Sequence, residues 1–308
     1  MSEDGIMNVK CRLLEMLVEL EDKDLESIEN WICSQSYKKF KKALRNSEKT
    51  LIKIGDSIKK IVPFKAEMPT ENIELPLVGT QADCKNYNTC HVDEFLYDER
   101  QVDQLVQKKK LQRHYCMDCN SRNIEELIWI SHSMSRKALQ YIFNVLLPKD
   151  LEDKQLLDIG SRLGAVLYVA YYSSNISKIV GVEINQECCE VQEKIIHQFA
   201  IDTDRIKVIH SDVTMRSDIV ECSDIIIINM LDFFVDVEKH KEMWYFFKKY
   251  FKKGSFLILN RSIAETLGGL EIFEDFVDWL SICKPNQLEN EIFFDVEDYS
   301  ELYLYIIN

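Results

Sequence analysis

The chain is expected to be an α/β protein with a doubly wound, mostly parallel sheet of seven strands that ends in an antiparallel hairpin. A helical region and a small Cys-rich module should precede the sheet. Three observations predict this. In the second half of the chain, five short apolar runs alternate with amphipathic stretches. The connections between them are short, as in parallel βα units. At the end, "NEIFFDVEDYSELYLYIIN" holds two β-prone runs without a helix between them, and such a close pair must run antiparallel.

The elements follow in chain order. Residues 1–75 form the helical region and a linker. "NVKCRLLEMLVELEDKDLESIENWICSQSYKKFKKAL" spaces its apolar residues by threes and fours, with neither Pro nor Gly, which predicts two or three amphipathic helices. "IVPFKAEMPTENIELPLVGT" carries three of the five prolines and reads as a linker. Residues 76–125 form the Cys-rich module, and residues 126–308 the sheet domain. Its strands are expected in "KQLLDIG", "SKIVGVEI", "RIKVIHSD", "SDIIIIN" and "GSFLILN". Its helices are expected in "AVLYVAYYSS", "QECCEVQEKIIHQFA", "MRSDIVEC" and "HKEMWYFFKKYFKK".

Composition limits the function. The 308 residues are 46% apolar and 29% charged, ordinary for a soluble globular protein. No apolar run reaches the roughly 18 residues that cross a bilayer. "MSEDGIMNVK" lacks the basic and apolar regions of a secretory signal. A cytoplasmic or nuclear protein that does not engage membranes is expected. The net charge of −14 argues against wrapping nucleic acid. Residues 37–65 nevertheless hold ten Lys/Arg against two acids, a local charge of +8 that suits either plain solvation or docking on an acidic partner or nucleic acid. Ten cysteines in such a chain read as free thiols or metal ligands. Cys11, Cys33, Cys188, Cys189, Cys222 and Cys283 are expected as small buried hydrophobes.

The stretch "LLDIGSRLGAVL" reads as a strand, a turn with two glycines and a helix start. Gly160 and Gly164 let the backbone pass close to a ligand, and the helix that follows offers free N–H groups. Asp158 can accept from an ammonium or hydroxyl but repels a pyrophosphate, which favours a cofactor with a positive amino-acid tail over a dinucleotide. Glu183, at the end of the next strand, stands where a carboxylate can accept both hydroxyls of a ribose. Asp212 ends the third strand beside the place of an adenine, with Ile184 and Val213 on its two faces. Asn229 ends the fourth strand near the point where strand order reverses.

Together these motifs resemble class I (seven-stranded, Rossmann-like) S-adenosylmethionine-dependent methyltransferases. "LLDIGSRLG" resembles the family's first motif, "GVEIN" its acidic motif, "IHSDV" its third-strand motif and "IIIINMLDFF" its fourth-strand motif. The resemblance covers residues 126–308. It implies S-adenosylmethionine as cofactor, with Asp158, Gly160, Ser161 and Gly164 around the methionine part, Glu183 on the ribose, and Asp212 and Val213 on the adenine. Arg162 departs from the pattern, which commonly has glycine there. Its side chain either restricts the loop or forms part of the pocket. A relative that keeps the fold and binds without catalysing is the alternative. An NAD-dependent oxidoreductase is disfavoured by the missing third glycine and by the terminal hairpin.

Methyl transfer is an in-line displacement from a sulfonium, so the protein mainly aligns a nucleophile. Asn229 is the candidate for positioning it. "NMLDFF" faintly resembles the asparagine-plus-aromatic signature of the non-SET histone-lysine methyltransferases. This implies Asp232, Phe233 and Phe234 around a lysine channel and favours a protein acceptor. In "WISHSMSRKALQYIF", Ser131, His132 and Ser133 read as helix capping, with Ser133 or His132 as possible contacts to the cofactor.

"DCKNYNTCH" and "HYCMDCNS" supply Cys84, Cys90, Cys116 and Cys119, with His91 and His114 as substitutes. Two such pairs could build one tetrahedral structural zinc site, or they are unrelated thiols.

Overall fold

The computed structural model describes residues 3–34, 36–76, 82–117, 124–229, 231 and 233–308. The chain divides into two compact units, Met1–Asn46 and Ser47–Asn308. The first contains helices α1 (Glu3–Val18) and α2 (Asp22–Ser34) and the start of α3 (Ser36–Ile58). α2 lies within the stretch whose spacing predicts helices, α1 begins just before it, and α3 starts in it and runs on to Ile58. None of the α2 side chains is buried, and Met7, Leu14, Met16 and Trp31 are exposed. Cys11 and Cys33 are exposed too, contrary to expectation, because among the described residues of this unit nothing covers the apolar faces of α1 and α2. Lys38, Lys39, Lys41, Lys42 and Arg45 of α3 also face solvent.

In the second unit, α3 buries Leu51, Ile54 and Ile58, one turn apart, in the core. The proline-rich segment that follows is a packed strap rather than a free linker: Val62, Ala66 and Pro76 are buried. Then come β1 (Thr89–His91), α4 (Glu99–Gln107), β2 (His114–Cys116), β3 (Ile124–Glu126) and β4 (Ile128–Ile130). β1 pairs with β4 in parallel and β2 with β3 antiparallel. Helix α5 (Arg136–Tyr141) continues as a π-helical turn, Ile142–Leu146.

The main sheet begins with β5 (Gln155–Ile159), α6 (Ala165–Ser173), β6 (Lys178–Glu183), α7 (Gln186–Gln198) and β7 (Ile206–His210). It continues with α8 (Ser217–Val220), β8 (Ile225–Ile228), α9 (Val237–Tyr250), β9 (Phe256–Leu259), α10 (Ile263–Gly268), β10 (Leu280–Ile282) and β11 (Tyr303–Ile307). The seven strands lie in the order β10-β11-β9-β8-β5-β6-β7. β5 to β9 are mutually parallel, and β11 runs antiparallel between β9 and β10. This is the arrangement that the class I methyltransferase resemblance implies. The strands alternate between two apolar layers: Ile225 and Ile227 of β8 face one core, Ile226 and Ile228 the other. The order reverses at β5, which opens a crevice beyond the carboxyl ends of β5 and β8.

The terminal hairpin is wider than expected. Its first strand is Leu280–Ile282, while "NEIFFDVEDY" forms two 3-10 turns, Leu288–Phe293 and Val296–Tyr299. The π-helical turn explains this. Asn286, Gln287 and Asn290 donate side-chain hydrogen bonds to the carbonyls of Leu146, Leu147 and Asn144 at 2.7–2.8 Å. Tyr299 stacks on Tyr141 with ring centroids 4.7 Å apart, and Phe294 packs edge-on against the same ring. Those contacts hold the segment against the helix and away from the sheet edge. Cys222 is likewise exposed and Cys283 half-buried, whereas Cys188 and Cys189 are buried as expected.

Gly181 of β6 allows the loop after β5 to close on the sheet. A Cβ there would stand 2.7 Å from Ser161 Oγ and 2.9 Å from Leu167 Cδ1. Gly181→Ala should therefore destabilise the protein by about 1–3 kcal/mol, through overpacking against the Ser161 and Leu167 side chains. Gly268→Ala, with nothing within 4 Å, should be close to neutral. Urea unfolding of the two variants checks this, and equal stability would mean that the loop does not press on β6.

Candidate functional site

The loop after β5 passes through three left-handed residues: Gly160 (φ 75°), Arg162 (φ 45°) and Gly164 (φ 83°). Gly160 and Ser161 both donate their N–H groups to Val182 O, at 2.9 and 3.2 Å. Ser161 Oγ donates to Gln192 Oε1 at 3.0 Å, and Gln192 Nε2 donates to Arg162 O at 2.7 Å. The loop is thus fastened to β6 and α7. Gly164 is needed at its place, because a Cβ would meet the buried Tyr168 ring at 2.7 Å.

A cavity of about 350 Å³ opens at the carboxyl ends of β5, β6, β7 and β8. Nine residues expected from the sequence line it: His132, Gly160, Arg162, Glu183, Ile184, Asp212, Val213, Asn229 and Phe234. Asp158, Ser161, Gly164 and Ser133 are buried and are not part of the lining. Asp158 is buried beneath the loop, and burial, then the neighbouring Glu183, pushes its carboxyl well above the usual range. Ser133 Oγ donates to Asp93 Oδ2 at 2.7 Å. Asp232 lies outside the described residues.

Glu183 is held at both carboxylate oxygens by backbone N–H groups. Its Oε2 accepts from the Arg162 N–H at 2.8 Å and its Oε1 from the Asn185 N–H at 2.7 Å. Burial raises its pKa, and these two N–H groups work against the rise. Each oxygen keeps a second acceptor position. Asp212 accepts at Oδ1 from both the N–H and the hydroxyl of Thr214, each at 2.8 Å, while Lys239 Nζ stands 3.2 Å from Oδ2. Burial alone would raise the Asp212 pKa, but these partners bring it below the ordinary value.

At the other end, His132 lines the cavity. Its Nε2 is 2.8 Å from His91 Nδ1, and its Nδ1 has no hydrogen-bond partner among the described residues. Asn229 Nδ2 donates to His132 O at 3.0 Å. The Phe233 and Phe234 rings stand edge-on to the His132 ring, at 5.4 and 4.9 Å. Phe233 is fully buried in a small core, and only Phe234 reaches the cavity wall.

Two parts of the wall were missed by sequence reasoning. Thr70, Glu71 and Asn72 come from the segment read as a linker, and Lys239 comes from α9. The prolines at 63, 69 and 76 were a signal of ordering, since proline lowers the entropy lost on fixing a chain. Lys239 has no local signal, because its place depends on how α9 crosses the sheet.

The four-cysteine zinc site is not supported. Cys84 is buried with Ile130 and Phe233, Cys90 with Val92 and Leu111, and Cys116 is exposed on β2. Apolar packing takes Cys84 and Cys90 into separate clusters, and Cys119 lies outside the described residues. Of the substitutes, His91 pairs with His132, and His114 stands 3.9 Å from Glu126. Among the described residues, no group of three or more His, Cys, Asp or Glu side chains could hold a metal ion. Nor is any helix among them long and apolar enough to cross a membrane.

No family model and no curated protein matches the chain. Among solved structures, it is similar to an O-methyltransferase from Bacillus cereus in complex with SAH, at 14% identity and a TM-score of 0.36, over 68% of this chain and 90% of that one. It is also similar to a precorrin-6y C5,15-methyltransferase from Geobacter metallireducens, at 12% identity and a TM-score of 0.38, over 56% and 86% of the two chains. A third is an RNA methyltransferase from Salinibacter ruber in complex with S-adenosyl-L-homocysteine, at 15% identity and a TM-score of 0.30, over 36% and 67%.

Burial, the Arg162 guanidinium and His91 pull the His132 pKa from 6.5 down to about 2. The folded state therefore keeps His132 neutral where the unfolded chain protonates it, so this residue's contribution to stability is lost as the pH falls below 6.5. The loss should approach about 1.4 kcal/mol per pH unit. Urea unfolding at about pH 7 and about pH 5 should show a steeper acid loss for the wild type than for His132→Asn. Parallel losses would mean that His132 titrates normally in the fold.

Proposed function

We propose that the chain is an S-adenosylmethionine-dependent methyltransferase. The observation that carries this reading is Glu183. It stands at the end of β6 in the wall of the switch-point cavity, with both carboxylate oxygens aligned by backbone N–H groups and one acceptor position left on each. That is what a ribose diol requires. The cavity volume, about 350 Å³, falls in the range of small-molecule sites. Ile184 and Val213 supply apolar surface for an adenine, and Asp212 ends β7 beside them.

When bound, S-adenosylmethionine supplies a methyl group on a positively charged sulfur. The chain's own residues then have three tasks. Glu183 fixes the sugar. The loop from Gly160 to Gly164 and its neighbours hold the amino-acid end. Asn229, whose amide is oriented by its bond to His132 O, positions the acceptor with Phe234. For the acceptor we favour a protein amine, on the ground that Asn229 and Phe234 stand together on the wall. The exposed lysines of α3 support docking of an acidic partner or nucleic acid. A second reading, a cofactor-binding protein that transfers no methyl, is favoured by Arg162 at the usual glycine position.

Calorimetric titration with S-adenosylhomocysteine should show binding, and Glu183→Ala should weaken it by about tenfold or more, since two hydrogen bonds to a charged group are lost. An absence of heat at roughly millimolar ligand would remove the reading. A tritiated-methyl assay on fractionated lysate then separates enzyme from binder and sorts protein, RNA and small-molecule acceptors.

A further inference from the structure

Arg162 reaches segments that lie far earlier in the chain. Its Nε donates to Glu71 Oε1 at 2.7 Å, and one terminal nitrogen donates to Glu71 Oε2 at 3.2 Å, a bidentate pair. The same terminal nitrogen donates to the Ala66 carbonyl, and the other to Asp93 Oδ2 at 3.0 Å. All three side chains are buried, at 6% exposure for Arg162, 4% for Glu71 and 2% for Asp93. Arginine suits this role because its planar fork holds a carboxylate and a carbonyl at once.

The segment so held runs across the cavity. Thr70, Glu71 and Asn72 form part of the wall. Thr70 is tied to the start of α7: Asn185 Nδ2 donates to its hydroxyl at 2.9 Å, and the hydroxyl donates to Glu187 Oε2 at 2.8 Å. Glu74 N–H donates to Phe233 O at 3.0 Å, beyond β8. Residues 66–74 are therefore anchored after β5, after β6 and after β8, on both sides of the switch point. Their polar hold is made of side-chain bonds and one backbone bond, not of a continuous sheet, and Ala66, Met68 and Ile73 add apolar contacts, so the segment leaves as a piece only when those bonds and contacts break together.

We propose that residues 66–74 are a strap that closes over the amino-acid end of the cofactor, and that Arg162 is the positioning residue that pins it. This rests on the methyltransferase reading, which gives the loop around Arg162 to the methionine part and Glu183 to the ribose. An amino-acid end carries an ammonium and a carboxylate, and the Arg162–Glu71 pair offers the complementary charges. Cofactor exchange then requires a buried bidentate pair to open, so that release is slow. The arginine at the glycine position is in this view part of the site. The opposite view, that Arg162 blocks a decayed loop, makes the reverse prediction for the same substitution.

The test uses the whole chain and S-adenosylhomocysteine as probe, with release followed by stopped-flow competition. Arg162→Gly should raise the release rate by about tenfold or more, with little change in association. Slower release or tighter binding would overturn the strap and support the blocking view. Arg162→Gly also strands the buried Glu71 and Asp93, so Thr70→Val serves as the second variant. Thr70 is exposed, and valine keeps its volume in the cavity wall while losing the ties to Asn185 and Glu187. Its release rate should rise by about threefold or more, without a change in the melting temperature of the free protein. Unchanged release in Thr70→Val, with no slowing of amide exchange in residues 68–74 when the probe is added, would overturn the proposal even if Arg162→Gly does not fold. A wild type that fails to bind the probe overturns the methyltransferase reading and the strap together, whereas binding with unchanged release overturns the strap alone.

Discussion

Arg162 joins parts of the second unit that the sheet by itself would not hold together. One guanidinium meets Glu71 and Ala66 from the strap and Asp93 from the segment after β1, while its own N–H meets Glu183 of β6. Burial would weaken its charge, but Glu71 and Asp93 more than offset this and raise its pKa. A buried ion pair of this kind contributes little net stability compared with an apolar core, yet removing one partner is costly because it strands the other. Once the segments are docked, each of the three charges therefore depends on the others being in place.

The same centre sets the electrostatics of the cavity. Near the loop, Glu183 and Asp158 are both held toward their protonated forms by burial. Farther along the wall, Asp212 is held ionised by Thr214 and Lys239. At the far end, His132 is kept neutral by burial and by Arg162. One buried cation thus keeps a neighbouring histidine uncharged while it neutralises the acids beside it, so the wall carries fewer free charges than its composition suggests. This explains how a site with five acids in or near it can exist within a folded domain.

The strands were legible because their signal is local. An apolar run bounded by polar turns reads the same wherever it lies in the chain, and the five parallel strands fall within the quoted runs. Glu183, Asp212 and Asn229 were legible for a related reason: each stands at or just beyond the end of a strand, and in a doubly wound sheet the ends of successive parallel strands meet at one edge. The terminal hairpin was half legible. Its last strand is where the β-prone run predicts, but "NEIFFDV" was claimed by Asn144, Leu146 and Leu147 of the π-helical turn, which offer unpaired carbonyls to Asn286, Gln287 and Asn290. Cys188 and Cys189 are buried as expected, but the zinc reading of Cys84 and Cys90 was not supported, because spacing along the chain says nothing about the apolar cluster that takes up a thiol.

The sequence by itself determined the alternation of strands and helices and the carboxyl-edge acids, since both follow from periodicity and chain order. Only the tertiary structure decided what stands opposite them. The strap across the cavity, Lys239 beside Asp212 and the His91–His132 contact all join residues distant in sequence. No local pattern encodes those distances. They arise when segments before the sheet and helices after it pack on it, and burial then requires each charge to find a partner.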